Sequence, residues 1–156
     1  HKTDVGGVFL NISTEDEVLN ALEKIDAIPA DAPKRYLLEA MAEPGLEVII
    51  GGTNDASFGP TVLVGMGGTA AEAMGDVSIR MSPLSHGQAE AMIGELRASA
   101  LFDGWRGSVK LDVASLSSAL VAVGDLLVSN PNISEIDLNP VRVYPHGIIA
   151  LDALIV

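Results

Sequence analysis

The sequence has 156 residues, 48% hydrophobic and 19% charged, the size and apolar content of a compact unit able to bury its own core. A formal net charge of −12 and the lack of any Lys or Arg run argue against a nucleic-acid partner, while leaving room for a nucleotide that arrives with magnesium. The absence of cysteine removes disulfides and thiolate sites and is compatible with a reducing cytoplasm. The uncharged stretch from Ala56 to Ala71 is broken by Pro60 and glycines and falls short of the roughly 20 apolar residues of a membrane span, so no membrane segment is expected.

The chain opens on His1 and Lys2 without an initiator Met or a leader, and reads as a fragment. Val5 to Ile12 is aliphatic and β-branched and predicts a strand. Ser13, with Asp16 three residues on, predicts the cap of a helix over about Thr14 to Ile28 with Val18, Leu22 and Ile25 on its apolar face. Pro29 and Pro33 close that unit. Tyr36 to Met41 and Leu46 to Gly51 read as strands joined by a turn at Glu43-Pro44-Gly45.

Thr61 to Met66 reads as a buried strand ending at Gly67-Gly68-Thr69, and Asp76 to Ser82 as a strand with Val77, Ile79 and Met81 on one face. Ser85 and His86 open a helix with Ala89, Met92, Ile93 and Leu96 as its buried stripe. Asp112 caps another that runs to Ser129, with Leu116, Leu120, Val123 and Leu127 inward. Ile133 to Tyr144, a turn at Pro145-His146-Gly147, and Ile148 to Leu154 form a closing hairpin. Strands and helices mix without βαβ alternation, which predicts an α+β layer.

Within the hairpin, polar and aliphatic residues alternate from Ile133 to Asn139 at the period of a strand. Ile136 and Leu138 go to the core, and Glu135, Asp137 and Asn139 to the other face. If Tyr144 pairs with Gly147, antiparallel register sets Asp152 across from Asn139 on that polar face. Neighbouring acids there repel unless water or a cation intervenes, and oxygen-only ligands suit magnesium, manganese or calcium. The competing reading is a solvated outer face. Asn139-Pro140 favours a shaped site, because proline removes a ladder donor and asparagine is a poor strand former.

HKTDVGGV at positions 1 to 8, GLEVIIGGTNDASFGPTVLVGMGGTAAEAMGDVSIRMSP at 45 to 83, GWRG at 104 to 107, and EIDLNP at 135 to 140 followed by Asp152 together resemble the ATP-grasp portion of NDP-forming acyl-CoA synthetases. The resemblance implies an ATP-grasp fold, mainly antiparallel sheet packed with helices, with the N-terminal half of the small subdomain missing. It divides the chain into the C-terminal part of the small subdomain, 1–42, and the large subdomain, 43–156. It further implies ATP/ADP and Mg²⁺ as cofactors and phosphoryl transfer through an acyl phosphate and a phosphorylated histidine. By resemblance Asn139 and Asp152 hold the metal, Asp137 steadies the phosphohistidine, and the segment Leu38-Glu39-Ala40-Met41 meets adenine with its backbone.

His1 falls on the histidine of the family's first motif and is a candidate phosphoryl acceptor. Arg106 in GWRG either meets a phosphate or covers Trp105 by stacking, and Gly67-Gly68 either cradles an anion or makes a plain turn. Glu47 and Glu72 recur in the motif without an assigned role. His86 and His146 read as exposed structure. The family implies CoA-binding and ligase domains or a subunit as partners, and CoA and a small carboxylic acid as substrates of the full acid–CoA ligase. A homo-oligomer is compatible, and the isolated fragment is expected to be inactive. The alternative function is a non-catalytic, nucleotide-sensing synthetase-like region of a protein lysine acetyltransferase.

Overall fold

The computed structural model describes residues 6–30, 33–68 and 73–156. The chain divides into two compact units, His1–Glu43 and Pro44–Val156.

The first unit is built around one helix, α1, Glu15–Asp26. Its cap is Thr14, one residue later than expected: the Thr14 hydroxyl accepts from the Glu17 N–H, and the Glu17 carboxylate accepts from the N–H groups of Thr14 and Ser13. The reciprocal box needs the longer Glu or Gln three residues past the cap; Thr14 has Glu17 there, whereas Ser13 has the shorter Asp16. At the far end the Lys34 ammonium donates to the carbonyls of Ile25 and Asp26, both at 2.6 Å, where the helix dipole favours a cation. Residues 7–12 and 33–45 form no strand, against the expectation for Val5 to Ile12 and for Tyr36 to Met41. A strand exists only through a ladder to a neighbour. No described segment pairs with either stretch, and Leu37 stays 82% exposed.

The second unit is a six-stranded sheet covered by helices on one face. Its strands are β1 (Leu46–Asp55), β2 (Gly59–Met66), β3 (Val77–Met81), β4 (Glu135–Val143), β5 (Ile148–Ala150) and β6 (Ala153–Ile155). They run β3-β2-β1-β4-β5, with β6 also on β4, and every pairing is antiparallel. The expected α+β layer is therefore present as an antiparallel sheet with helices packed on it.

The helices are α2 (His86–Gly94) and α3 (Val113–Ser129). Ser85 and Gln88 form a capping box for α2, and Asp112 caps α3 by accepting from the Ser115 N–H at 2.9 Å. Ala89, Met92 and Ile93 of α2, and Leu116, Leu120, Val123 and Leu127 of α3, are all buried, as their spacing requires. They pack on Val48, Ile50, Val62, Val64, Met66, Ile136, Val141 and Val143 of the sheet. Helix α3 lies close on β1 at Gly52, where a Cβ would sit 2.7 Å from Leu127 and 2.8 Å from Val123.

On β3 the inward side chains are Ser78 and Arg80, both tied to Glu95 just past α2, so Val77, Ile79 and Met81 share the outward face. The Asp76 carboxylate beside them accepts from the N–H groups of Arg97 and Ala98 at 2.8 and 3.0 Å.

Candidate functional site

The alternation that buries Val48, Ile50 and Gly52 under α3 turns Glu47, Ile49, Gly51 and Thr53 to the opposite face of β1. By the same count β2 presents Leu63 and Gly65 there. Among the described residues no helix of this unit packs on that side. Among the described residues of this unit it is the open face of the sheet.

Strand β4 reaches the open face with a change of phase. Ile136 and Leu138 point to the core, and so do Val141 and Val143, which leaves Asn139 and Pro140 as an extra step between two inward residues. The ladder to β1 records this as a register shift between Val48, paired with Val141, and Ile50, paired with Leu138. Such a bulge re-aims the side chains around it. The Asn139–Pro140 peptide is cis.

The neighbouring edge breaks at the same level. Val143 pairs with Ile148 and Val141 with Ala150; beyond the break Leu138 pairs with Ala153 and Ile136 with Ile155. Tyr144 donates its N–H to Gly147, and the Leu151 N–H to the Pro140 carbonyl at 2.9 Å. The register is the same on both sides, so Asp152 stands across from Asn139. Asp137, between the inward Ile136 and Leu138, turns to the open face; Asn139 sits in the bulge, and Asp152 in the gap between β5 and β6. The Asp152 carboxylate is exposed and accepts the N–H of Ala153 at 2.9 Å. An amide and two carboxylates, all oxygen donors, fit a hard divalent cation. Among the described residues no group of three or more His, Cys, Asp or Glu is placed to hold a metal ion.

One row further along the open face, Arg142 donates through Nε and a terminal nitrogen to the same oxygen of Glu47, at 3.1 and 3.0 Å. Sequence reasoning left Glu47 without a role and did not single out Arg142. In an unbroken strand the period of two carries Asn139 to Val141, not to Arg142; the bulge at Asn139-Pro140 is the signal that moves Arg142 to the acidic face. Gly67 lies against this pair: its N–H donates to the Glu47 carbonyl at 2.8 Å, and a Cβ there would stand 2.9 Å from the Glu47 backbone.

The other candidates are dispersed. His1 and Glu72 lie outside the described residues. Glu39, Ala40 and Met41 are exposed in the first unit, in the stretch without regular structure. Arg106 sits in the connection between α2 and α3 with its guanidinium 5.8 Å from the Trp105 ring centroid, the stacked arrangement. Gly68 has a positive φ of 87°, as a tight turn after β2 demands.

The chain matches the ATP-grasp domain family over residues 1–156. It is 40% identical to a trans-feruloyl-CoA synthase of an unknown prokaryotic organism, over 99% of this chain and 23% of that protein. It is 36% identical to the beta subunit of the ADP-forming acetate–CoA ligase I of Pyrococcus furiosus, over 98% of this chain and 68% of that subunit. Among solved structures it resembles the acetyl-coenzyme A synthetase 1 of Ca. Korarchaeum cryptofilum in complex with coenzyme A and Mg-AMPPCP, in which a phosphohistidine segment points towards the nucleotide binding site. The TM-score is 0.89 at 44% identity, covering 100% of this chain and 70% of that one. The chain thus spans 23% of the length of that synthase. With an antiparallel sheet open on one face, an acidic hairpin in the expected register and a match from end to end, this chain belongs to the ATP-grasp domain family, in the branch found in ADP-forming acyl-CoA synthetases.

Proposed function

We propose that the chain is the nucleotide-binding part of an ADP-forming acid–CoA ligase, moving a phosphoryl group between ATP/ADP and a histidine while the rest of the enzyme makes or cleaves the acyl-CoA. The observation that carries this reading is the register that sets Asp152 across from Asn139. Likeness to a synthetase solved with Mg-AMPPCP supports the same ligand here.

In this reading Asn139 and Asp152 would hold magnesium, which would supply positive charge to neutralise the nucleotide phosphates. Asp137, on the same strand face, accepts the N–H of the imidazole that carries the phosphoryl group and so fixes its orientation. His1 is the candidate acceptor within this domain, a neutral imidazole being a competent nucleophile towards a phosphoryl group held in line. The backbone of Glu39, Ala40 and Met41 meets adenine, and Arg106 remains a phosphate contact in reserve behind its stacking on Trp105. Residues 1–42 form part of the small ATP-grasp subdomain and 43–156 the large one. CoA-binding and ligase domains or subunits complete the enzyme, with CoA and a small carboxylic acid as its substrates.

The test is Asp152→Asn in the full-length protein. Removing the charge of one of two direct ligands should weaken magnesium-dependent nucleotide binding and lower turnover by about tenfold or more, while the thermal transition stays in place. A variant with the magnesium dependence of the parent would reject the assignment.

A further inference from the structure

Glycine inside a strand gives up backbone entropy and packing area, so its presence there calls for a local reason. Most strand glycines of this chain have one. Gly52 leaves no room for a Cβ beside Leu127 and Val123, and Gly65 leaves none beside Val77, whose Cγ1 would lie 2.8 Å away. Gly59 has a positive φ of 78°. Gly51 has neither reason. Its φ lies outside the left-handed range, and among the described residues a Cβ on it would meet the Leu63 side chain alone, at 3.7 and 3.9 Å, ordinary van der Waals contact.

Its distinction is its place on the open face. The ladders set one row across the sheet: Ile79 of β3, Leu63 of β2, Gly51 of β1, Asp137 of β4 and Leu154 of β6. Partners in such a row share a face. Asp137 therefore has Leu154 on one flank and bare backbone on the other, with the aliphatic Leu63 and Ile79 beyond. Adjacent strands lie about 4.8 Å apart, so Leu63 and Asp137 stand about 10 Å apart across Gly51. Between them is a slot with an apolar wall, a carboxylate wall and a floor that carries no side chain. A strand glycine of this kind marks a close approach by another group. A phosphate gains nothing from either wall, whereas a flat heteroaromatic ring sets its carbon edge on Leu63 and its N–H on Asp137. Asn139, proposed as a metal ligand beside the phosphates, is two residues on from Asp137. A nucleobase stands a ribose away from its phosphates, but an attacking imidazole meets the phosphoryl group directly.

We infer that Gly51 is a clearance position, whose missing side chain admits a histidine imidazole against Asp137 within reach of the phosphoryl group. The inference rests on the proposed phosphoryl transfer and adds the residue that shapes the ring's seat. In the step it serves, the unprotonated ring nitrogen attacks the γ-phosphorus, the bond to the bridging oxygen breaks, and ADP leaves with that electron pair. The other ring nitrogen keeps its proton on Asp137 throughout. A Cβ on Gly51 fits the empty sheet but occupies the place of the ring.

The experiment compares the full-length parent with Gly51→Ala, Gly51→Val and Asp137→Asn in three measurements: thermal midpoint, calorimetric binding of MgATP, and transfer of label from γ-labelled ATP to histidine as acid-labile phosphate. Gly51→Ala should keep a midpoint at or above that of the parent, because the Cβ has room and the unfolded chain loses freedom. It should bind MgATP within about twofold yet form phosphohistidine about tenfold more slowly or worse, since small displacements of a reacting group are costly. Gly51→Val should deepen that loss. A lowered midpoint in Gly51→Ala would make the glycine a packing position and overturn the inference. Equal losses of MgATP binding and label transfer would put the nucleotide itself over Gly51 and overturn it too. Transfer at the parent rate in Gly51→Ala, with Asp137→Asn impaired, rejects the clearance role and leaves the phosphoryl-transfer reading standing. A parent protein that forms no phosphohistidine overturns both.

Discussion

Gly52 shows what one side chain decides in this fold. Helix α3 approaches β1 so closely there that a methyl group would stand 2.7 Å from Leu127 and 2.8 Å from Val123. Overpacking of this kind costs about 1–3 kcal/mol, whereas replacing a strand glycine by alanine recovers about 0.5–1 kcal/mol of backbone entropy. The clash wins. Gly52→Ala should lose stability in equilibrium denaturation, and a midpoint at or above that of the parent would show that α3 can move away freely. Gly67 illustrates the same principle on the open face, where the glycine lets the chain pass directly over the Glu47 backbone.

At the scale of elements, Asp112 joins helix to hairpin. Its carboxylate caps α3 through the Ser115 N–H and hydroxyl, and also accepts the Gly147 N–H from the turn between β4 and β5 at 2.8 Å. The Asp112 N–H in turn donates to the Tyr144 carbonyl. These bonds, the Ser115 N–H first, hold the carboxyl below its ordinary pKa of 3.8. A depressed folded-state value means that the stabilisation is complete above the unfolded value and is lost as pH falls through the folded one. Asp112→Ala should therefore lower the thermal midpoint at neutral pH, and its deficit against the parent should shrink in acid, below the ordinary carboxylate range. A deficit that does not change with pH would mean that the charge contributes nothing.

Elements with local signals were legible in the sequence. Caps and apolar stripes located α2 and α3, and in the hairpin the turn at Pro145-His146-Gly147 carries a register that persists across the break at 151–152. Residues 7–12 and 36–41 have the composition of strands yet form none, because pairing depends on a second segment that composition does not reveal. Alternation on β3 separates Val77, Ile79 and Met81 from Ser78 and Arg80 but does not say which set faces inward. The bonds to Glu95 settle that, and they are tertiary. The candidate acids stand in a sequence pattern with period two, whereas the outward turn of Arg142 depends on the bulge.

For the molecule as a whole, stability is unevenly distributed. Every buried member of the apolar core cluster lies between Val48 and Val143, inside the second unit. In the first unit Ala21 is the buried apolar residue among those described, while Leu37 and Leu38 remain exposed. A protein comprising residues 44–156 should consequently unfold in one cooperative transition with a midpoint close to that of the whole chain, and residues 1–43 alone should show none. Circular dichroism on the two pieces checks this. Loss of the transition in the larger piece would place part of its folding free energy in residues 1–43.

The paired break at 139–140 and 151–152 has an effect at the border of the sheet as well. It divides that border into two runs of three residues, β5 and β6, separated by the turn-out at Leu151 and Asp152. A stray strand from another molecule needs a longer uninterrupted row of free N–H and C=O groups to add on, and a charged interruption in the row is a common natural safeguard against such addition. Straightening Asn139-Pro140 and its counterpart into regular strand would restore a continuous sticky border, so the irregularity that arranges the acids also guards the protein against self-association.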